Sequence, residues 1–350
     1  MAQSSEFDLR YVAIAKESTY GTDPQATPSS AYFYGECDDE SFAHKFDLLT
    51  RSDMSRAIAA KSVTGKEFSE GGVNMALQPD DFVNMCFLGF FPNNTYGSSA
   101  HTFDEGDTTT AHAYPSFTIR VGREDKEHKY TGMCANRMSL SASVNEYVMM
   151  SVDFVGKSES ATLAIDNSNA CLGASDVAFH TVDALHFADG TVFLGQASDG
   201  TATAKVKAVN FEINLNRDTD NACGIGSPTY TRAPPVQMRE VTGTIEFNQV
   251  IHSAASSTNE PTYDNLIAAD GHSINQSTST PAMVLNFKDE AGTNYVEVKF
   301  FHLRFEAPEA SVSGRDTQTM TVNFVALADI NNSNNCMSVK TKGAQRTSTY

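Results

Sequence analysis

The sequence contains no tryptophan, no cluster of lysine and arginine, and no apolar run long enough to cross a membrane. The lack of tryptophan disfavours a carbohydrate-binding module, because sugar platforms commonly use large aromatic faces, although tyrosine can serve instead. The formal net charge of −18 repels nucleic acid and anionic lipid. These properties exclude a conventional nucleic-acid-binding protein, and we expect no membrane partner.

The sequence also lacks the local motifs of the common enzyme and metal-binding families. It has no phosphate-binding loop, no dinucleotide-binding glycine pattern, no nucleophile elbow and no zinc-protease motif. Its six cysteines form no C-x-x-C pair, and no histidines have zinc spacing. We expect free, buried thiols, although an even number of cysteines also permits disulfides. The cysteines are Cys37, Cys86, Cys134, Cys171, Cys223 and Cys336.

Two acidic patterns permit a functional and an ordinary interpretation. Asp218 and Asp220, followed by Gly224, resemble a calcium loop, but the third oxygen ligand, the glycine position and the closing glutamate are missing. We expect an ordinary polar loop there. Residues 38–40 (DDE) have the composition of a cation site or an acid/base pair, and we expect a solvated acidic turn instead.

The histidines and the glycosylation-type triplets give equally weak signals. The spacing of the four histidines in the first half fits neither a helix face nor a ligand pair, so we expect surface or loop positions. They are His44, His101, His112 and His128. Asn93 and Asn275 begin N-x-S/T triplets, which occur often by chance. We therefore predict no catalytic, cofactor-binding or metal-binding residues, and no enzyme activity.

One short string occurs twice, in the company of similar landmarks. Residues 150–155 (MSVDFV) return as residues 320–325 (MTVNFV), and residues 63–65 (VTG) return as residues 241–243. A stretch with helical spacing follows each VTG, with acidic residues at its start and a glycine at its end. Its landmarks are Asp80, Asp81, Phe82, Met85, Cys86 and Gly89 in the first half, and Glu260, Tyr263, Leu266, Ile267 and Gly271 in the second.

Each half continues with a strand that begins after a proline and alternates apolar and polar residues, which predicts one buried and one wet face. A tyrosine follows each strand, with three further landmarks in the same register. The first half has Pro115, Phe117, Ile119, Val121, Tyr130, Met138, Leu140 and Ala142; the second has Pro281, Met283, Leu285, Phe287, Tyr295, Leu303, Phe305 and Ala307. Chance similarity among β-rich sequences is the alternative, but the common order of the landmarks favours one unit present twice.

Composition and pattern predict an all-β or β-rich fold of two units. We predict an N-terminal arm with one short strand over residues 1–40, a first unit over 41–157, and a second unit over 208–328. Residues 158–207 are a predicted linker with an inserted hairpin that turns at Asp189 and Gly190. Residues 329–350 are polar and are predicted to form a C-terminal tail.

Several segments together are similar to the tail tube proteins of siphophages, the phages with long non-contractile tails. Residues 11–22 (YVAIAKESTYGT) resemble the opening strand of that family and the segment that follows it. Residues 115–119 (PSFTI), 132–143 and 150–156 resemble its central strands. The resemblance covers the chain in outline, its motifs are diffuse, and it brings no catalytic residues with it.

The resemblance implies a mainly β fold of two tandem tail-tube domains, each a β-sandwich or barrel with one short flanking α-helix. It further implies homotrimeric rings with six domains, which stack into a tube for genome ejection. The implied partners are further copies of the chain, the tape-measure protein and DNA in the lumen without specific binding, and terminator and distal tail proteins at the ends. No cofactor is implied, and we expect the strands ending near Phe154 and Phe324 to lie in the inner sheet.

The implied location is the virion, after synthesis in the cytoplasm of a bacterial host, and the N-terminus has neither the basic start nor the apolar core of a secretory signal. Three other classes remain open on the sequence alone. The first is a tail terminator, a decoration protein or a bacterial relative of tube proteins. The second is an extracellular adhesin or glycan-binding module. The third is an enzyme whose catalytic polar residues form no local sequence motif.

Overall fold

A computed structural model describes most of the chain, and it is mainly β with two sheets and one α-helix among the described residues. These are residues 10–24, 32–52, 54–55, 57–59, 61–106, 113–165, 167–171, 182–195, 206–250, 273–275, 281–311, 318–329 and 335–350.

The helix is α1 (Asp81–Phe90). The strands are β1 (Tyr11–Lys16), β2 (Phe33–Gly35), β3 (Asp39–Glu40), β4 (Ala43–Arg51), β5 (Lys61–Ala76), β6 (Asn93–Gly97), β7 (Ala100–Asp104), β8 (Phe117–Arg123), β9 (Lys126–Ser143), β10 (Met149–Gly156), β11 (Ser158–Ala164), β12 (Gly190–Leu194), β13 (Val206–Asn214), β14 (Glu240–Phe247), β15 (Ser273–Asn275), β16 (Met283–Lys288), β17 (Tyr295–Phe300), β18 (His302–Phe305), β19 (Glu309–Ser311), β20 (Thr319–Ala326) and β21 (Met337–Lys342).

The larger sheet carries strands from both predicted units side by side. Its central path runs in the order β18, β20, β14, β13, β9, β10 and β5, with antiparallel pairing throughout. β4 pairs with β5 at one end of this path, and β15 pairs with β18 at the other. The first half of β9 also pairs with β8 and β11, and β8 pairs with β1 of the N-terminal arm.

Alternating side chains give this sheet two different faces. In β9 and β13 the apolar residues Met138, Leu140 and Phe211 are buried, whereas Arg137 and Ser141 between them are exposed. Because successive strand residues point to opposite faces, one face joins the core and the other is polar. We refer to the second as the polar face.

β9 pairs with two different sets of strands, and the change of partners lies beside Gly132. Residues 126–131 pair with β8 and β11, Met133 pairs with Phe117 of β8, and residues 134–143 pair with β10 and β13. Gly132 has a φ of +68°, which residues with a β-carbon rarely adopt. Its glycine therefore allows one long strand to serve both parts of the sheet.

Helix α1 begins where the sequence predicts. The side chain of Asp80 accepts a hydrogen bond of 2.8 Å from the backbone N–H of Val83, which satisfies one of the free amides of the first turn. All ten residues of the helix are buried. Gly89 lies inside the last turn rather than after it, and a β-carbon there would stand 2.7 Å from that of Ala135. This glycine therefore serves close packing against β9. The second predicted helix, around Tyr263 and Leu266, lies outside the described residues.

The smaller sheet has the order β12, β16, β17, β21, β7 and β6. β21 lies at its centre, between β17 of the second predicted unit and β7 of the first. The prediction of a polar tail over residues 329–350 is therefore wrong for residues 337–342. Met337, Val339 and Thr341 of this strand are buried, and their pairing joins the two halves of the chain.

Both sheets and helix α1 enclose one continuous apolar core. Two aromatic trios stand at corresponding places in it. Phe42 lies 5.6 Å from Tyr130 and 6.0 Å from Phe154 between ring centroids. Phe300 lies 5.3 Å from Phe211 and 5.7 Å from Phe324. Corresponding members of the trios are Phe42 and Phe211, Tyr130 and Phe300, and Phe154 and Phe324.

The strand pairing assigns counterparts that differ from several of the sequence landmarks. Phe154 lies opposite Gly71 and Phe324 lies opposite Gly243, so the counterpart of Gly243 is Gly71 rather than Gly65. Leu140 pairs with Met150 as Ala310 pairs with Met320, so the counterpart of Leu140 is Ala310 rather than Phe305. The turn between β16 and β17 is longer than that between β8 and β9, and this displaced the landmarks counted from Tyr130 and Tyr295.

Two local predictions are wrong because tertiary contacts decide them. Asp189 and Gly190 do not turn a hairpin: a 3₁₀ turn (Phe187–Asp189) leads into β12, which pairs with β16. The boundaries of the predicted units stay a prediction. β8 has no wet face, since Thr118 and Arg120 are as buried as Phe117 and Ile119. β1 and the arm cover that side of β8.

Candidate assembly surfaces

The candidate polar sites identified in the sequence have local structural partners. Asp218 accepts hydrogen bonds from the side-chain amide of Asn221 and from the backbone N–H groups of Asn221 and Asp220, as in a capped turn, and these bonds lower its pKa. Among the described residues, no group of histidine, cysteine, aspartate or glutamate is arranged to hold a metal ion. All six cysteines are free, as expected, but only Cys86, Cys134, Cys171 and Cys336 are buried, whereas Cys37 and Cys223 are partly exposed.

The histidines lie on different strands. His44 is near Ser69, and His128 lies 2.7 Å from a carboxylate oxygen of Glu159. His101 is fully buried, so the prediction of a surface position is wrong for it. Burial lowers its pKa, while its Nε2 lies 2.9 Å from the backbone oxygen of Arg346. His112 lies outside the described residues, and the structure does not describe the side chain of Asn275.

The acidic turn at residues 38–40 is only partly solvated. Asp39 accepts a 2.7 Å hydrogen bond from Asn74, and both carboxylate oxygens of Glu40 bind the guanidinium of Arg123 at 2.7 and 2.6 Å. A bidentate pair of this kind fixes both side chains. It closes one wall of a groove whose lining carries acidic and basic residues together, without a nucleophile held by a base.

The N-terminal arm is attached to the first unit by a buried ionic cluster that local sequence patterns do not reveal. The Arg120 guanidinium binds Glu127 at 2.9 Å and Asp23 at 2.8 Å, and its side chain is fully buried. Tyr11 of β1 donates a 2.6 Å hydrogen bond to Glu127. Because each charge is paired and hydrogen-bonded, the cluster tolerates burial and holds β1 against β8. We assign it a structural role.

The two units meet along a pair of strands and along the segment that connects β13 to β14. β13 pairs with β9 from Ala208 opposite Ser143 to Asn214 opposite Arg137. Residues 215–239, which we call the connecting segment, then fold back over the first unit. The Pro228 carbonyl accepts a 2.8 Å hydrogen bond from the N–H of Glu67 on β5, at a part of that strand beyond its pairing with β10.

Side chains of the connecting segment anchor it to the first unit. Tyr230 stacks on Phe68 with ring centroids 6.2 Å apart, and the ammonium of Lys66 lies 5.4 Å from the Tyr230 ring. The Nε of Arg217 donates a 2.5 Å hydrogen bond to the backbone oxygen of Ala135, and burial lowers the pKa of this guanidinium. Arg239 lies 3.0 Å from Glu105 in an ion pair.

The outer strands of the large sheet offer backbone edges for pairing. Within the described residues, β4 pairs with β5 alone, and β19 pairs with β20 alone. Pro308, which has no N–H, lies between β18 and β19 on the second of these edges. Exposed edges of this kind are places where another chain adds strands.

The β4–β5 hairpin extends beyond the rest of the sheet. Its outer part, residues 46–65, is called the ribbon below. The adjacent residues Leu48 and Leu49 are 60% and 58% exposed although they point to opposite faces. The other exposed apolar side chains of the ribbon are Phe46, Met54, Ile58 and Val63. A two-stranded ribbon with apolar residues exposed on both faces is typical of a segment that a partner covers.

The polar face of the large sheet is rich in hydroxyl groups and in paired charges. Arg137 and Glu212 form a 2.5 Å ion pair, and Lys207 and Glu246 form one of 2.6 Å. Small hydroxyl side chains lie on the same face on β10, β9, β14 and β20. They are Ser139, Ser141, Ser151, Thr242, Thr244 and Thr321. Such a face offers polymers few fixed cations and no apolar patch.

No helix among the described residues is both long and apolar enough to span a membrane. A search of curated proteins finds no match. The model of the family described as phage tail tube protein matches residues 9–326, which is nearly the whole chain. This chain therefore belongs to the phage tail tube protein family, whose members are structural proteins of the virion that assemble into a tube.

Proposed function

We propose that this chain is a subunit of the tail tube of a siphovirus and that three copies close one ring of the tube. The observation that carries the proposal is the strand order of the large sheet. β4, β5, β10 and β9 of the first unit are followed by β13, β14, β20 and β18 of the second, in the same order and with the same antiparallel pairing.

We infer that the two units are copies of one ancestral module. The aromatic trios support this inference, because their members stand at corresponding positions of corresponding strands. Met150 and Met320, Leu140 and Ala310, and Met133 and Leu303 are each separated by 170 residues, from 150 to 320 in the first pair. A constant separation across three strands is difficult to obtain without duplication.

The strand pairing that joins the two units within one chain also indicates how one chain joins the next. In the order of the sheet, β9 is the outermost strand of the first unit, and it pairs with β13, the outermost strand of the second. By the same rule, β19 near the end of one copy pairs with β4 near the start of another, since β18 already lies between β20 and β15. This contact is heterologous, and repetition closes a ring when the rotation per unit divides a full turn. The six domains of the family's rings then correspond to three chains.

The polar face lines the lumen of this ring, opposite the core and helix α1. Its ion pairs neutralise most of its basic groups, so DNA and the tape-measure protein pass without specific binding during genome ejection. The net charge of −18 adds long-range repulsion. Terminator and distal tail proteins bind the two ends of the tube. Synthesis in the bacterial cytoplasm agrees with six free thiols.

Electron microscopy of the purified protein tests this function. We expect rings or hollow filaments with a continuous inner β-barrel. A protein that stays a monodisperse monomer, at all concentrations and in the presence of tape-measure protein, contradicts the proposal.

A further inference from the structure

Within the part of the chain that the structure describes, the outer strands of the ribbon pair with each other alone. Leu48 pairs with Thr64 and Leu49 with Val63, so the outer part of β4 and β5 pairs with itself. Its apolar side chains remain exposed on both faces, and Leu49 is 58% exposed. Burying such side chains is the main favourable term in protein association. A second copy of the chain is present at high local concentration in any tube.

The connecting segment shows which surface is contacted by a segment that lies between the first two strands of a unit. It joins the first two strands of the second unit, β13 and β14, as the ribbon joins the first two strands of the first unit, β4 and β5. It lies across the preceding unit, against Lys66, Glu67 and Phe68 of β5 and against Ala135 and Asn136 of β9.

Among the described residues, the corresponding surface of the second unit is largely exposed. The register of the strands places Met238, just before β14, and Glu240 of β14 where Lys66 and Phe68 stand in β5. It places Phe305 and Glu306 where Ala135 and Asn136 stand in β9. Met238 is 74% exposed, and Glu240 and Glu306 are exposed as well, whereas Phe305 is buried. We call these four residues the docking surface.

We propose that the ribbon of one copy packs across the docking surface of another copy, as the connecting segment packs across the first unit within a chain. This inference rests on the proposed function, since it uses the correspondence of the two units. Apolar side chains of the ribbon cover Met238. The basic Arg51 and Lys61, which pair across the ribbon, complement Glu240 and Glu306.

A photo-crosslinker in place of Leu49 tests the contact in assembled tubes of the full-length protein. We expect adducts between chains at residues 238–240 or 305–306 when the cross-linked peptides are identified by mass spectrometry. The same crosslinker in place of Tyr147, which is 59% exposed in the turn between β9 and β10, serves as the control and does not label these residues. Adducts from position 49 that lie only elsewhere overturn the proposal.

A variant pair separates docking from folding. We expect Leu48→Ser with Leu49→Ser to reduce the sedimenting tube fraction about tenfold or more, because the apolar contact is lost, while the melting temperature of the monomer stays close to the wild-type value. Val144→Ser with Tyr147→Ser removes two exposed apolar side chains outside the ribbon and leaves assembly unchanged. Normal assembly of the ribbon variant overturns the docking proposal alone. Failure of the wild-type chain to form rings contradicts the proposed function instead.

Discussion

Phe324 lies directly opposite Gly243 in the pairing of β14 with β20, and its ring occupies the space where a β-carbon of Gly243 would stand, 2.3 Å from the ring Cζ. The backbone oxygen of Asn210 lies 2.5 Å from the same point. A side chain at position 243 therefore displaces both an aromatic ring of the core and the neighbouring strand.

For Gly243→Ala we expect a loss of about 2–3 kcal/mol in the free energy of unfolding, because overpacking forces the ring and β13 to move. Chemical denaturation measures it. Gly224→Ala is the matched control, since a β-carbon there meets no atom within 4 Å, and we expect a change below about 0.5 kcal/mol. Equal effects of the two substitutions contradict the packing described for Phe324.

The buried ionic cluster of the N-terminal arm gives a second expectation. Arg120→Met leaves Glu127 buried without its cation, and we expect a loss of about 3–5 kcal/mol in the free energy of unfolding. Arg137→Met removes an exposed ion pair on the polar face and costs less than about 1 kcal/mol. If both variants unfold at the same denaturant concentration, the cluster does not hold the arm.

The carboxyl group of Asp80 makes the free energy of unfolding depend on pH. Burial raises the pKa of this carboxyl to about 7. The folded state therefore binds a proton more tightly than the unfolded state, and stability decreases as pH rises from about 4 through 7.

Asp80→Asn keeps the cap, because asparagine is an equally good N-terminal capping residue, and it removes the titration. We expect the variant to exceed the wild type by about 1–3 kcal/mol at pH 8, at about 1.4 kcal/mol per pKa unit, and by much less at pH 5. Denaturation curves at both pH values measure this. An equal difference at both values contradicts a shifted carboxyl.

The C-terminal Tyr350 is part of the core boundary rather than of a free tail. Its hydroxyl contacts Asp81 and Asn84 of α1, its backbone oxygen accepts a 3.2 Å hydrogen bond from Lys16, and its ring lies 4.7 Å from that of His101. We expect Tyr350→Ala to lower the free energy of unfolding by about 2 kcal/mol. Tyr147→Ala, at an exposed position, is the control and leaves thermal melting nearly unchanged.

Sequence pattern was sufficient where a short segment determines its own structure. Val209, Phe211 and Ile213 alternate with other residues along the chain, a pattern typical of a strand with one buried face, and all three are buried in β13. The acidic residues at positions 80 and 81 predicted the start of α1. In both cases the residues that give the sequence pattern are the same residues that form the strand or the helix start.

Sequence pattern failed where distant segments decide the outcome. β21 is short and polar, and only its pairing with β17 and β7 makes it a central strand. The alternation in β8 predicted that Arg120 faces solvent. In the folded chain β1 covers it, and Asp23 pairs with its charge. The correspondence of Leu140 with Ala310 was hidden because the turns between the repeated strands differ in length. The ribbon and the docking surface were missed because exposure is a property of the folded chain.

The stoichiometry of one ring tests the central claim most directly. Cryo-electron microscopy of assembled tubes counts the chains per ring and shows which strands join them. We expect three chains, six similar β units around the lumen, and β4 of each chain adjacent to β19 of the next. A ring of six chains, or one joined through the six-stranded sheet, contradicts the claim.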